Sequence, residues 1–131
     1  MILVDSSVWI DYFNGKKTSK TDWLDSALGN KPIIIGDLIL AEVLQGFQNE
    51  NDFRTAKNSL LDFPFMEMVG QNIAIKSAIN YRFLRKKGVT VKKTIGVMIG
   101  TFCIHHHFSL LHDDSDFDSL EKYLKLKTIR I

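Results

Sequence analysis

The chain is poor in three things: cysteine, proline and long apolar runs. The one thiol, Cys103, excludes an internal disulfide and fits a reducing compartment. Only Pro32 and Pro64 interrupt the backbone, so helices and strands can run undisturbed between them. No apolar run reaches the roughly 18 residues that a membrane helix needs. The first one stops at Asp5, which does not read as a secretory signal. Together these absences point to a cytoplasmic protein without membrane contact.

Charge of one sign is missing locally as well. From Arg82 to Lys93 there are six cations (Arg82, Arg85, Lys86, Lys87, Lys92 and Lys93) and no acid. From Asp113 to Glu121 there are five acids and no cation. The basic run beside an acidic cluster suits a metal-dependent enzyme acting on a polyanion, but charge alone favours the plainer reading of a solvated helix end placed by the dipole. What is present in quantity is apolar: 45% of 131 residues, enough for one domain spanning 1–131 with its own core.

Short apolar runs alternate with helical patterns. Residues 2–5, 33–35 and 109–112 read as buried strands, 63–66 as a break or short strand, and 126–131 as an edge strand. Ser6 and Ser7 offer caps for a helix carrying Val8, Trp9, Ile10, Tyr12 and Phe13, and Asn14-Gly15 ends it. Further helices are expected over 20–28, over 38–47 with Asp37 as cap, and over 52–61. Two more follow: 71–87 with Ile75, Ala78, Ile79 and Phe83 on one stripe, and 95–106 capped by Thr94. A short helix near 116–123 follows an acidic turn. Strands separated by helices imply right-handed crossovers and a parallel sheet covered on both faces, an α/β fold. Sites in such sheets form at the C-terminal ends of strands.

Glu42 is the only charged residue between Leu38 and Phe47, and Asp5 closes an apolar strand. Buried carboxylates are costly unless paired or bound to a cation. The topology predicts that Asp5, Glu42 and the acidic turn meet at one edge, which suggests a shared metal ion. The tract His105-His106-His107 does not predict one, because adjacent helical residues do not share a face.

The run Ile2-Leu3-Val4-Asp5-Ser6-Ser7-Val8-Trp9-Ile10, the segment Leu40-Ala41-Glu42-Val43-Leu44-Gln45-Gly46 and the stretch Leu110-Leu111-His112-Asp113-Asp114-Ser115-Asp116-Phe117 occur in this order. In that order and at these separations they resemble the PIN domain, and more narrowly the VapC-type toxin ribonucleases of toxin–antitoxin pairs. The resemblance implies a three-layer α/β/α sandwich with a central parallel sheet. It implies catalytic acids at Asp5, Glu42, Asp114 and Asp116, with Asp5, Glu42 and Asp114 as ligands of Mg²⁺ or Mn²⁺. Ser6 or Ser7 would support the first ligand, and His112 stands where the family often has Thr. The implied reaction is hydrolysis of RNA, with tRNA as one such substrate, by a metal-activated water. Implied partners are a VapB-type antitoxin and a second copy of the chain, with DNA reached only through the antitoxin. The departure is Gly96, in Lys93-Thr94-Ile95-Gly96, where the family usually carries an Asp ligand. That substitution leaves a second reading open: a catalytically inactive PIN-fold module that binds antitoxin or RNA.

Overall fold

The computed structural model describes all residues, Met1–Ile131. Five strands form one sheet: β1 (Ile2–Val4), β2 (Ile33–Gly36), β3 (Phe65–Met66), β4 (Ser109–Leu111) and β5 (Lys127–Thr128). Their order is β3-β2-β1-β4-β5, and every pairing is parallel. Strands of a parallel sheet are buried on both faces, so they read as unbroken apolar runs. Leu3, Val4, Ile33, Ile34, Ile35, Leu110 and Leu111 accordingly form the centre of the core. Each such side chain contributes about 1.5–3 kcal/mol on burial.

Seven helices cover the sheet: α1 (Ser6–Phe13), α2 (Ser19–Ala27), α3 (Asp37–Leu44), α4 (Glu50–Leu60), α5 (Gly70–Lys86), α6 (Thr94–His106) and α7 (Asp118–Leu124). The helices α1 to α4 pack with one another, and α5 to α7 form a second group. This is the expected three-layer α/β/α sandwich. The chain leaves β1 towards β2 and β3, then returns across the sheet to β4 and β5. Right-handed crossovers in opposite directions place the two helix groups on opposite faces. The reversal point lies between β1 and β4, where the Asp5 N–H donates to the Leu111 carbonyl (2.9 Å).

Several local expectations need correction. Asp5, not Ser6 or Ser7, is the N-cap of α1, and its side chain accepts from the Ser7 N–H. Gly36 occupies the cap position of α3; Asp37 is its first residue and binds the N–H groups of Leu38 and Met68 (2.9 and 3.0 Å). Lys93, not Thr94, precedes α6. The helix α3 ends at Leu44, and α4 begins earlier than expected, at Glu50, because the Asn49 side chain caps it. Beyond β4 only Lys127 and Thr128 pair in the expected edge strand.

The largest correction concerns α5. Its stripe of Ile75, Ala78, Ile79 and Phe83 faces solvent, and the buried side is Ile73, Ser77 and Leu84. Ile75 and Ile79 are 55% and 58% exposed, which leaves an apolar strip on the outer surface. The aromatic residues of α1 turn inward as expected. Trp9 is buried against Phe13 and Phe63, and Phe13 meets Phe47. In the histidine tract His106 is half-buried and stacks on Phe108, while His105 and His107 are exposed.

Candidate active site

The reversal of strand order opens a crevice beyond the C-terminal ends of β1 and β4, the position where open α/β sheets bind ligands. Asp5, Ser6, Ser7, Glu42 and Asp114 line this cleft, together with Lys93 and Gly96. Residues far apart in sequence therefore meet. Asp5 arrives at the end of β1, Glu42 from α3, Asp114 from the turn after β4, and Lys93 and Gly96 from the start of α6.

Each acid has its own support. Asp5 is 4% exposed. Its Oδ2 accepts from the Ser7 hydroxyl (2.6 Å) and the Ser7 N–H (3.1 Å). The same hydroxyl accepts from the Asp113 N–H (3.1 Å), so Ser7 ties the end of β1 to the acidic turn. Ser6 serves the other acid: its hydroxyl donates to Glu42 Oε1 (3.1 Å). The Asp114 N–H donates to His112 Nδ1 (3.2 Å), and Asp114 Oδ1 accepts from the Asp116 N–H (2.9 Å). His112 thus holds the acidic turn through its ring nitrogen.

The electrostatics mark these acids as one group. Burial raises the Asp5 carboxyl above its ordinary value, the bonds from Ser7 oppose the rise, and the charge on Asp114 adds to it. Glu42 is also raised, first by burial; Asp5 and Asp114 push it up, while the Ser6 bond and the Lys93 ammonium pull it down. Burial lowers the His112 imidazole, and the Lys20 charge adds to that effect.

The other expected site residues lie elsewhere. Asp116 is absent from the acid cleft; it faces a neighbouring cavity that shares only Lys93 and Gly96 with the cleft. Arg82, Arg85, Lys86, Lys87 and Lys92 are exposed and do not line the acid cleft, and none forms an ion pair within the chain. Lys93 separates from that run and enters the cleft. Sequence reasoning also missed Gln45 and Ile10 on the cleft wall. The signal was available, since Gln45 lies three residues after Glu42 and Ile10 four after Ser6, on the same helix faces.

Carboxylate oxygens are the donors that Mg²⁺ or Mn²⁺ prefers. The set present here does not complete such a site. No three Asp, Glu, His or Cys side chains stand close enough to hold a metal ion. Gly96 supplies no donor, although a Cβ built on it meets nothing within 4 Å. The space for a fourth acid exists and is empty of side chain.

The pattern of the PIN domain matches residues 2–123. The chain belongs to the PIN domain family. It is 27% identical over 130 residues to the VapC ribonuclease Mb1587 of Mycobacterium bovis and to ribonuclease VapC11 of Mycobacterium tuberculosis. These alignments cover 97% of this chain and 96% of each relative. Among solved structures it is similar to VapBC2 from Rickettsia felis, bound to a DNA fragment from its promoter (TM-score 0.77, 15% identity, 98% of both chains). It is also similar to FitAcB from Neisseria gonorrhoeae (TM-score 0.78, 15% identity, 99% of this chain and 97% of that one). At such identities the structural likeness speaks for the fold.

Proposed function

We propose that this PIN domain is a VapC-type toxin-family protein that binds RNA and an antitoxin but has lost efficient metal-dependent cleavage. One observation carries the reading: the cleft of a PIN fold gathers Asp5, Glu42 and Asp114 without bringing three of them close enough to hold a metal ion, and glycine at position 96 adds no further donor. The relatives named as ribonucleases and the solved toxin–antitoxin complexes support the pairing with a VapB-type antitoxin. Contact with DNA would come only through that partner. The unpaired cations from Arg82 to Lys92 support RNA binding, with tRNA as the structured probe of choice. The solvent-facing strip of Ile75, Ile79 and Phe83 supports a homodimer, since contiguous exposed apolar surface marks an interaction face. The cytoplasm is the compartment in which such a pair would meet RNA.

A second reading has its own support. Asp5 and Glu42 are both raised by burial and by their acidic neighbours, as carboxylates that await a cation would be. On that reading the chain is a weak Mg²⁺- or Mn²⁺-dependent endoribonuclease. The two separate in one experiment that measures both tRNA binding and tRNA cleavage, with Mg²⁺, Mn²⁺ or EDTA. Binding without turnover is expected. Metal-dependent turnover leaving 5′-phosphate ends would establish the second reading instead.

A further inference from the structure

Beside the acid cleft lies a second cavity of about 130 Å³, enclosed by the α5–α6 connection, the start of α6, and the turn leading into α7. Its walls are apolar at Val91, Val97 and Leu120, and polar at Asp116 and Ser119. It meets the acid cleft at Lys93 and Gly96, which line both spaces. A side chain at position 96 would stand in the passage, and glycine leaves it open.

Asp116 gives this cavity its chemistry. Its backbone N–H is spent on Asp114 and its carbonyl accepts from Ser119 (3.4 Å). Its half-buried carboxylate makes no hydrogen bond or ion pair within the chain. An ionised carboxylate only accepts, and its two oxygens suit two donors side by side. Lys93 at the junction is an ammonium that suits a phosphate. An apolar slot, a paired acceptor at its wall and a cation at its mouth are the complement of one nucleotide whose base carries adjacent N–H donors.

We propose that this cavity is a base-binding subsite for a guanine nucleotide of RNA, with Lys93 on the phosphate and the Asp116 carboxylate on the guanine N1–H and N2–H₂ edge. Adenine, cytosine and uracil each present a single donor group beside an acceptor on that edge, so the carboxylate discriminates against them. Single-stranded RNA is read in this manner, by apolar contact with a splayed base and hydrogen bonds to its edge. The subsite rests on the RNA-binding reading above and deepens it by naming the base. It also gives Gly96 a consequence beyond the missing acid: the passage from phosphate to base is widened.

The test is amide NMR of the ¹⁵N-labelled full chain, titrated to millimolar concentrations with 5′-GMP, 5′-AMP, 5′-CMP, 5′-UMP and ribose 5-phosphate. GMP is expected to move the signals of Gly96, Val97, Asp116 and Ser119, and ribose 5-phosphate only those around Lys93. Asp116→Asn keeps the side-chain shape and should weaken GMP binding at least about tenfold, the loss of a charge-assisted bond, with the phosphate response retained. Ser119→Phe, which fills the cavity, should abolish the GMP shifts. Ribose 5-phosphate reproducing the GMP pattern, or equal affinity for all four nucleotides, would overturn the proposal. So would tRNA binding without any GMP shift in the cavity, an outcome that leaves the RNA reading standing. No response to tRNA or to any nucleotide would overturn both.

Discussion

Replacing Gly96 by aspartate tests the central chemical argument. Gly96 is the third residue of α6, its φ is not in the left-handed region, and a new Cβ meets nothing within 4 Å. Removing a helical glycine gains up to about 1 kcal/mol, less the poorer helix propensity of aspartate relative to alanine. An acid in the first turn gains a further 0.3–1 kcal/mol, roughly, from the helix dipole. Repulsion from Asp5, Glu42 and Asp114 opposes both gains. Without metal the variant should therefore stay within about 1 kcal/mol of the parent, or about 4 °C in Tm for a chain of this size. With Mn²⁺ or Mg²⁺ at a hundredfold excess over Kd, ligand binding stabilises by about 2.7 kcal/mol, or roughly 10 °C. The parent should move by less than a quarter of that. Thermal melts with metal or EDTA give the first readout. Cleavage of tRNA gives the second, with a gain of at least about 100-fold in the variant, the upper end of what an outer-shell partner of a metal is worth. Equal metal-dependent melting shifts and equal cleavage by the two proteins would refute the assignment of position 96.

Burial raises Asp5 and Glu42 above their ordinary values of 3.8 and 4.5, so the native state holds protons that the unfolded chain releases. Their contribution to stability is complete below those values and is lost as pH rises through the native pKa. Asp5→Asn should raise stability at neutral pH and flatten the loss; urea melts from pH 4 to 8 check it, and a variant that is less stable at pH 7 contradicts it. His112 works in the opposite sense, stabilising above its ordinary value of 6.5 and losing that contribution as pH falls; because the Asp5 charge also pushes Glu42 and His112 up, the difference curve between parent and variant reports Asp5 together with these two neighbours. Gly96→Ala should gain about 0.5–1 kcal/mol, whereas Gly100→Ala sets the same gain against about 1–3 kcal/mol of overpacking on the Leu120 side chain and should end the less stable of the two. Chemical denaturation ranks the two, and equal effects would contradict the packing described. Reversing Arg85, Lys86 and Lys87 to glutamate should lower the log–log salt slope of RNA binding by about 0.7 for each phosphate that is no longer neutralised; an unchanged slope removes that run from the RNA surface. On the proposed dimer, Ile75→Asp with Ile79→Asp should leave the fold intact and shift sedimentation from dimer to monomer; an unchanged dimer would place the interface elsewhere, and a monomeric parent would remove the dimer.

Much of the architecture was legible because parallel strands carry an unmistakable signal. Ile33-Ile34-Ile35 and Leu110-Leu111 are continuous apolar runs because both of their faces are covered. The helices around them followed from periodicity, but periodicity does not say which side of a helix faces the sheet. In α5 the more apolar stripe, Ile75 to Phe83, lies outside, and the inner side contains Ser77. Apolar content alone therefore did not identify the inward face of α5. The caps erred by one residue because Asp5, Ser6 and Ser7 are all competent, and only the strand end decides among them. Asp5, Glu42 and Asp114 meeting in one cleft followed from their order along a parallel sheet. Asp116 did not join them, because two residues of a tight 3₁₀ turn are enough to place side chains on different walls. Lys93 was hidden inside a basic run whose other members lie outside the cleft.

The two glycines of α6 separate structural from chemical causes. Both sit in a helix where glycine is unfavourable, four residues apart. Gly100 is explained by packing, since a Cβ there would overlap the Leu120 side chain. Gly96 has no such explanation, since its Cβ would enter open space between two cavities. The fold therefore does not require glycine at position 96, and the helix would be more stable with almost any other ordinary residue. What changes there is the chemistry of the cleft: a fourth carboxylate is withheld, Lys93 is left beside Glu42, and the passage to Asp116 stays open. The fold, the three cleft acids and the serine supports are present, while no metal-holding set is. That combination supports the proposed reading of a PIN domain that binds its partners with little RNA cleavage.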